Sequence, residues 1–134
     1  MLLSQQYSNT RFTLTIVDEC YYDLKIIDNV EITIDDIKEI VVAQTKMGGK
    51  RMPTLVSSTK YAITNAETLK YISENKNFPY SSGGAFVIAS VSQRLMANFY
   101  LKLNKPQRPT RFFTNAKEAV KWAKELCIEK ELAA

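Results

Sequence analysis

The chain has 134 residues, 46% hydrophobic and 24% charged, the composition of one globular domain able to bury a core without staples. It contains no histidine, which excludes Ser-His and Cys-His nucleophiles and histidine-based metal sites. The net charge of +4 is uneven: residues 1–45 carry eight acids and three bases, residues 46–117 twelve bases and two acids, and residues 118–134 three bases and four acids.

No apolar run reaches the roughly 20 residues that span a bilayer. The opening MLLSQQYSNTR lacks the basic and apolar regions of a signal peptide, so a cytoplasmic protein is expected. Cys20 and Cys127 have no ligand-like spacing and read as two reduced thiols.

Residues 1–10 read as a loose arm and residues 11–134 as a single domain. RFTLTIV alternates, with Phe12, Leu14 and Ile16 on one face, and YYDLKII repeats the period with Tyr22, Leu24 and Ile26. Across the Asp18-Glu19 turn they form a hairpin. Thr33, with Asp36 in the reciprocal position, caps a helix whose apolar stripe holds Ile34, Ile37, Ile40 and Val41. Gly48-Gly49 ends it.

The strand Thr54 to Ser57 follows, then a capping box at Thr64-Asn65-Ala66-Glu67 opening a helix with Ala66, Leu69 and Ile72 inward. NFPYSSGG leads into the apolar strand AFVIA. Ser90 caps the next helix, with Val91, Leu95, Phe99 and Leu103 expected inward, stopped by Asn104-Lys105-Pro106. Thr110 to Phe113 makes a last strand. Asn115 starts a helix holding Ala119, Trp122, Ala123 and Leu126. The order ββαβαβαβα implies an α/β domain: a five-stranded, mostly parallel mixed sheet with four helices.

The stretches SQRLMANFYLKLNKP and TRFFTNAKEAVKWAKEL resemble a bacterial domain family of unknown function in the STAS-like superfamily, the small regulatory folds related to anti-sigma-factor antagonists. The resemblance spans roughly residues 11 to 127 and implies a STAS-like fold. In those antagonists an Asp-Ser pair carries the phosphorylated serine; the matching positions here are Thr64-Asn65, which lack both residues. The resemblance thus implies the fold without the phosphorylation switch. Relatives of the fold that bind lipophilic molecules suggest, by fold-level analogy only, that the apolar helices part to form a pocket, while the sequence offers no apolar residues beyond core needs.

Three surfaces are candidate sites. The carboxyl edge of the parallel strands, with Ser57, Ser58, Thr59, Thr64 and Asn65, and with Ser90, Ser92, Thr114 and Asn115 beside them, suits an anionic ligand or serves only as helix caps. Lys50, Arg51, Lys105, Arg108 and Arg111 form a candidate basic patch at the opposite edge; with Phe78 and Tyr80 it suggests single-stranded nucleic acid, a reading disfavoured by the ordinary abundance of basic rims. Arg94, Asn98 and Lys102, four residues apart, form a candidate interface ridge. The sequence offers no catalytic constellation and calls for no cofactor or metal. The expected role is a non-catalytic regulatory or protein-interaction module, whose partner is another protein or a second copy in a homodimer. The alternative is a binder of a small phosphorylated or lipophilic molecule.

Overall fold

The structure, a computed structural model, describes residues 2–3, 5–58 and 63–133. Its strands are β1 (Leu2–Leu3), β2 (Gln6–Ser8), β3 (Phe12–Val17), β4 (Tyr21–Ile26), β5 (Glu31–Ile32), β6 (Met52–Ser58), β7 (Ile63–Thr64), β8 (Ser81–Val87) and β9 (Thr110–Phe113). The helices are α1 (Ile34–Lys46), α2 (Ala66–Ser73), α3 (Val91–Phe99) and α4 (Ala116–Ala133). The main sheet has the order β1-β2-β3-β4-β6-β8-β9, with six strands longer than two residues; β5 and β7 pair separately. Strands β1 to β4 are antiparallel neighbours, and β4, β6, β8 and β9 run parallel.

The α/β class, the four helices and the mixed sheet match expectation, but five strands undercounts the sheet. Gln6–Ser8 lies where a loose arm is expected and pairs along β3. The reason is the open edge of β3, whose backbone groups need partners. Tyr7 fastens the added strand by donating to Glu39 Oε1 at 2.8 Å, and Asn9 Nδ2 donates to Glu39 Oε2 at 2.7 Å. Strand β8 begins at Ser81, four residues before the apolar run. Its glycines allow close approach: a Cβ on Gly83 would lie 2.7 Å from Leu126 Cδ1 and 3.3 Å from the Pro109 carbonyl oxygen.

Because strand side chains alternate, the parallel core has two packed faces. Tyr21, Leu55, Ala85 and Phe113 meet Ala119 and Ala123 of α4 on one side. On the other, Phe12, Leu14, Tyr22 and Leu24 meet Ile37 and Ile40 of α1. The register Leu24–Val56–Phe86–Phe112 continues this second face across four strands, beneath α2 and α3.

Helix α1 has the expected ends. Thr33 Oγ1 accepts from the Asp36 N–H while Asp36 Oδ2 accepts from the Thr33 N–H, a complete capping box. At the other end the Gly48 N–H donates to the Thr45 carbonyl and the Gly49 N–H to the Gln44 carbonyl, both glycines at positive φ. Asp36 also receives Arg11 as a side-on fork, Nε to Oδ1 at 2.7 Å and Nη2 to Oδ2 at 3.0 Å. Burial alone would raise the Asp36 pKa, but donation from Arg11 and Thr33 outweighs it and holds the carboxyl below its ordinary 3.8. A depressed folded-state pKa gives stability that is present above the ordinary value and lost as pH falls through the folded one. Asp36→Asn should therefore cost about 1–2 kcal/mol at neutral pH. It should also flatten the acid limb of the stability–pH curve, measured by urea unfolding from neutral pH down to pH 2.

Helix α3 turns the opposite face inward from the one its apolar spacing favours. Val91 is 75% exposed, Leu95 65%, Phe99 45% and Leu103 64%. Ala97 and Tyr100 are buried instead, with Met96 beside them over the sheet. The helix carries two apolar stripes, and contacts choose between them. Tyr100 packs edge-on against Phe86 and Phe112 at 6.3 and 6.5 Å, and Gln93 Nε2 donates to Ser58 Oγ at 3.3 Å. A π-helical turn at Tyr100–Asn104 and a left-handed Lys105 end the segment. Leu95→Glu should change stability by no more than about 0.5 kcal/mol, as surface positions do. A core leucine there would lose about 2–5 kcal/mol on truncation, so chemical denaturation separates the two placements.

Candidate functional site

The register row Leu24–Val56–Phe86–Phe112 is the floor of a cavity of about 160 Å³. Its roof is Leu69 and Ile72 of α2 together with Met96 and Ala97 of α3. Asn65 and Ser90 set the starts of the two roof helices: Asn65 Oδ1 accepts from the Thr68 N–H at 2.8 Å, and Ser90 Oγ from the Gln93 N–H at 3.2 Å. The short β5–β7 pair stands at the carboxyl end of the strands and brings Ile32 and Thr64 to the lining. Phe86 and Phe112 stack at 5.1 Å, and Phe78 and Tyr100 complete the far wall.

The surface of this space is overwhelmingly hydrocarbon and ring, with Ser58, Thr64, Thr68, Ser92 and Gln93 as its polar members. The hydroxyl of Thr64 is committed, donating to the Ile32 carbonyl at 2.9 Å. An engineered cavity of comparable size, about 150 Å³, stays dry and accepts benzene or xenon. A lining of this kind offers a water molecule few hydrogen-bond partners.

The candidate residues separate as follows. Ser58 and Thr64 line the cavity, whereas Ser57 belongs to the alternate set on β6, in register with Lys25, and Thr59 lies outside the described residues. Asn65, rather than Thr64, caps α2. With Ser90 on α3 and Asn115 on α4, each side chain accepts from its own helix's first-turn N–H groups. Asn65, Ser90 and Asn115 thus act as caps, which commits these three side chains to their own helices.

The basic patch is not assembled as expected. Arg108 is 7% exposed, held by donation from Nη1 to the Ile72 carbonyl at 2.5 Å and stacked 5.5 Å from the Phe78 ring centre. Phe78 is itself buried, and Tyr80 is half-buried, accepting from Thr45 Oγ1 at 3.1 Å. Arg111 is exposed and lies over Phe113 and Trp122, the α4 side of the sheet. Lys50 is exposed and donates to the Glu19 carbonyl at 3.0 Å, while Arg51 and Lys105 are also exposed. The patch is divided because Arg108, just before β9, lies against Phe78, whereas Arg111, on β9, lies over Phe113 and Trp122. Arg94, Asn98 and Lys102 are all exposed, as a ridge requires.

Electrostatics near the cavity are governed by burial. It pushes the Tyr100 hydroxyl up to about 12 against the opposing charge of Arg108. Burial likewise lowers Arg108, and Arg51 lowers it further, while Tyr100 acts to raise it. Among the described residues no three acidic or thiol side chains converge to hold a metal ion. Cys20 and Cys127 are free thiols. No described helix is long and apolar enough to cross a membrane.

Spacing alone missed the cavity, since its residues come from six strands and three helices. Its one visible signal is the second stripe of α3, in which Gln93, Met96, Ala97 and Tyr100 share a face.

Residues 23–127 match the family model described as a domain of unknown function (DUF7793), and the chain belongs to that family. No curated protein and no solved structure matches it.

Proposed function

We propose that this member of the DUF7793 family is a non-catalytic binding domain for a small lipophilic molecule, held between the sheet and the helices α2 and α3. The observation that carries the reading is the apolar cavity of about 160 Å³ over the Leu24–Val56–Phe86–Phe112 row. Burial of apolar surface supplies the affinity, about 0.8 kcal/mol per methylene. The polar groups at the Ser58–Gln93 end orient the molecule. The α/β sandwich with helices on both faces agrees with a STAS-like relationship, and a regulatory, cytoplasmic role in a bacterium is the accompanying proposal. The phosphorylated-ligand version has less support, because Asn65 and Ser90 at that edge are occupied with capping.

A saturating ligand stabilises a protein by mass action, about 2.7 kcal/mol at a hundred times its Kd. Benzene or hexan-1-ol should therefore raise the melting temperature by several degrees. Val56→Phe, which fills the floor, should abolish the shift while leaving a folded protein. Unchanged melting with every small apolar probe would sink the reading.

A second reading, an interaction module, is favoured by the outward apolar stripe of α3, where Val91, Leu95 and Leu103 are each more than 60% exposed beside Arg94 and Lys102. Sedimentation velocity tests it in its homodimer form. A concentration-dependent dimer that Leu95→Glu dissociates supports it, and a monomer at every concentration removes it.

A further inference from the structure

Helix α3 and the π-helical turn after it concentrate the exposed apolar surface of the chain. Among the described residues eight large hydrophobic side chains are exposed, and five of them, Val91, Leu95, Phe99, Leu101 and Leu103, stand on this one segment. Val91, Leu95, Phe99 and Leu103 recur every four residues, so they form one stripe along the outward face.

A basic row runs beside that stripe. Arg94, Asn98 and Lys102 each stand one residue before a member of it, a turn of about 100° around the helix axis. All three are exposed, as is Lys105 just beyond the turn. From residue 75 to residue 117 the sequence contains no Asp or Glu. Among the described residues Arg94, Lys102 and Lys105 form no ion pair, so their charge is not answered within the chain. An apolar stripe flanked by unanswered bases calls for a surface that is at once anionic and apolar.

We infer that this face docks on an anionic lipid surface. The stripe enters the boundary between head groups and acyl chains, and Arg94 and Lys102 lie among the lipid phosphates. The inference does not rest on the cavity. A second copy of the chain suits the face less well, because it brings the same bases to the contact and no acid from this segment to meet them. A bilayer supplies both requirements in adjacent layers, phosphate outside and hydrocarbon within, and demands no shape-matched groove for Val91 and Leu95.

Co-sedimentation of the full chain tests this, with vesicles of phosphatidylcholine alone and of phosphatidylcholine carrying about one-third phosphatidylglycerol. Binding should be confined to the anionic vesicles and weaken as salt is added. Each base near such a surface contributes roughly fivefold, so Arg94→Glu combined with Lys102→Glu should weaken binding by at least about twentyfold. Leu95→Glu should weaken it by at least about tenfold, and Val91→Ser repeats the stripe test with a milder change. Ile128→Ser, at an exposed apolar position on α4, should leave it unchanged. Failure to bind anionic vesicles overturns the inference, and so does binding that both stripe variants leave intact. An Ile128→Ser loss equal to that of Leu95→Glu overturns the placement on α3. A dimer that Leu95→Glu dissociates, or retention on poly-glutamate, in a chain that ignores the vesicles assigns the face to protein and overturns the choice of lipid.

Discussion

Parallel pairing of β4, β6, β8 and β9 is the constraint on which the rest depends. It sets Leu24, Val56, Phe86 and Phe112 in a transverse row, so one face of the sheet becomes a continuous apolar floor. A one-residue slip in any pair would replace part of that floor with the residues that meet α4. Over the floor α2 and α3 are pinned at both ends. Asn65 and Ser90 cap their starts, and the contacts of Arg108 and Tyr100 hold their far ends. Helices fixed in this way bridge the sheet and leave an apolar space between themselves and the floor.

The charges follow the same geometry. Arg11 and Asp36 are matched, buried on the acid's side, and tie the β3 edge to the start of α1. Arg108 comes from the basic middle of the sequence, yet the fold takes it out of solvent and sets it against aromatic rings. Net charge is therefore a poor guide to what this surface presents, because one of its most basic-looking positions is interior.

Much of the fold was legible in the residues. The hairpin period, the Thr33–Asp36 box, the Gly48-Gly49 stop and the four helices follow from local chemistry, which sets backbone conformation within a few residues. Pairings that depend on distant partners were not legible. The first ten residues read as a polar, loose arm until Glu39 is brought to Tyr7 and Asn9. The glycines of β8 look like a linker until Leu126 and Pro109 crowd them. Helix α3 is the sharpest case: its longer aliphatic stripe predicted the wrong inward face, because hydrophobicity counts side chains while packing counts their fit to Phe86 and Phe112. The cavity followed that mistake, since turning Val91 and Leu95 inward would have filled the place where Met96 and Ala97 now stand.

What distinguishes this architecture from an ordinary close-packed α/β domain is an apolar space of about 160 Å³ under two helices held at both ends. Diffraction from crystals held under xenon pressure addresses it without any assumption about the natural occupant, since xenon enters preformed apolar cavities. Anomalous scattering should place a xenon atom between Val56, Phe86 and Met96. Well-ordered crystals in which those side chains touch and no xenon enters would contradict the account.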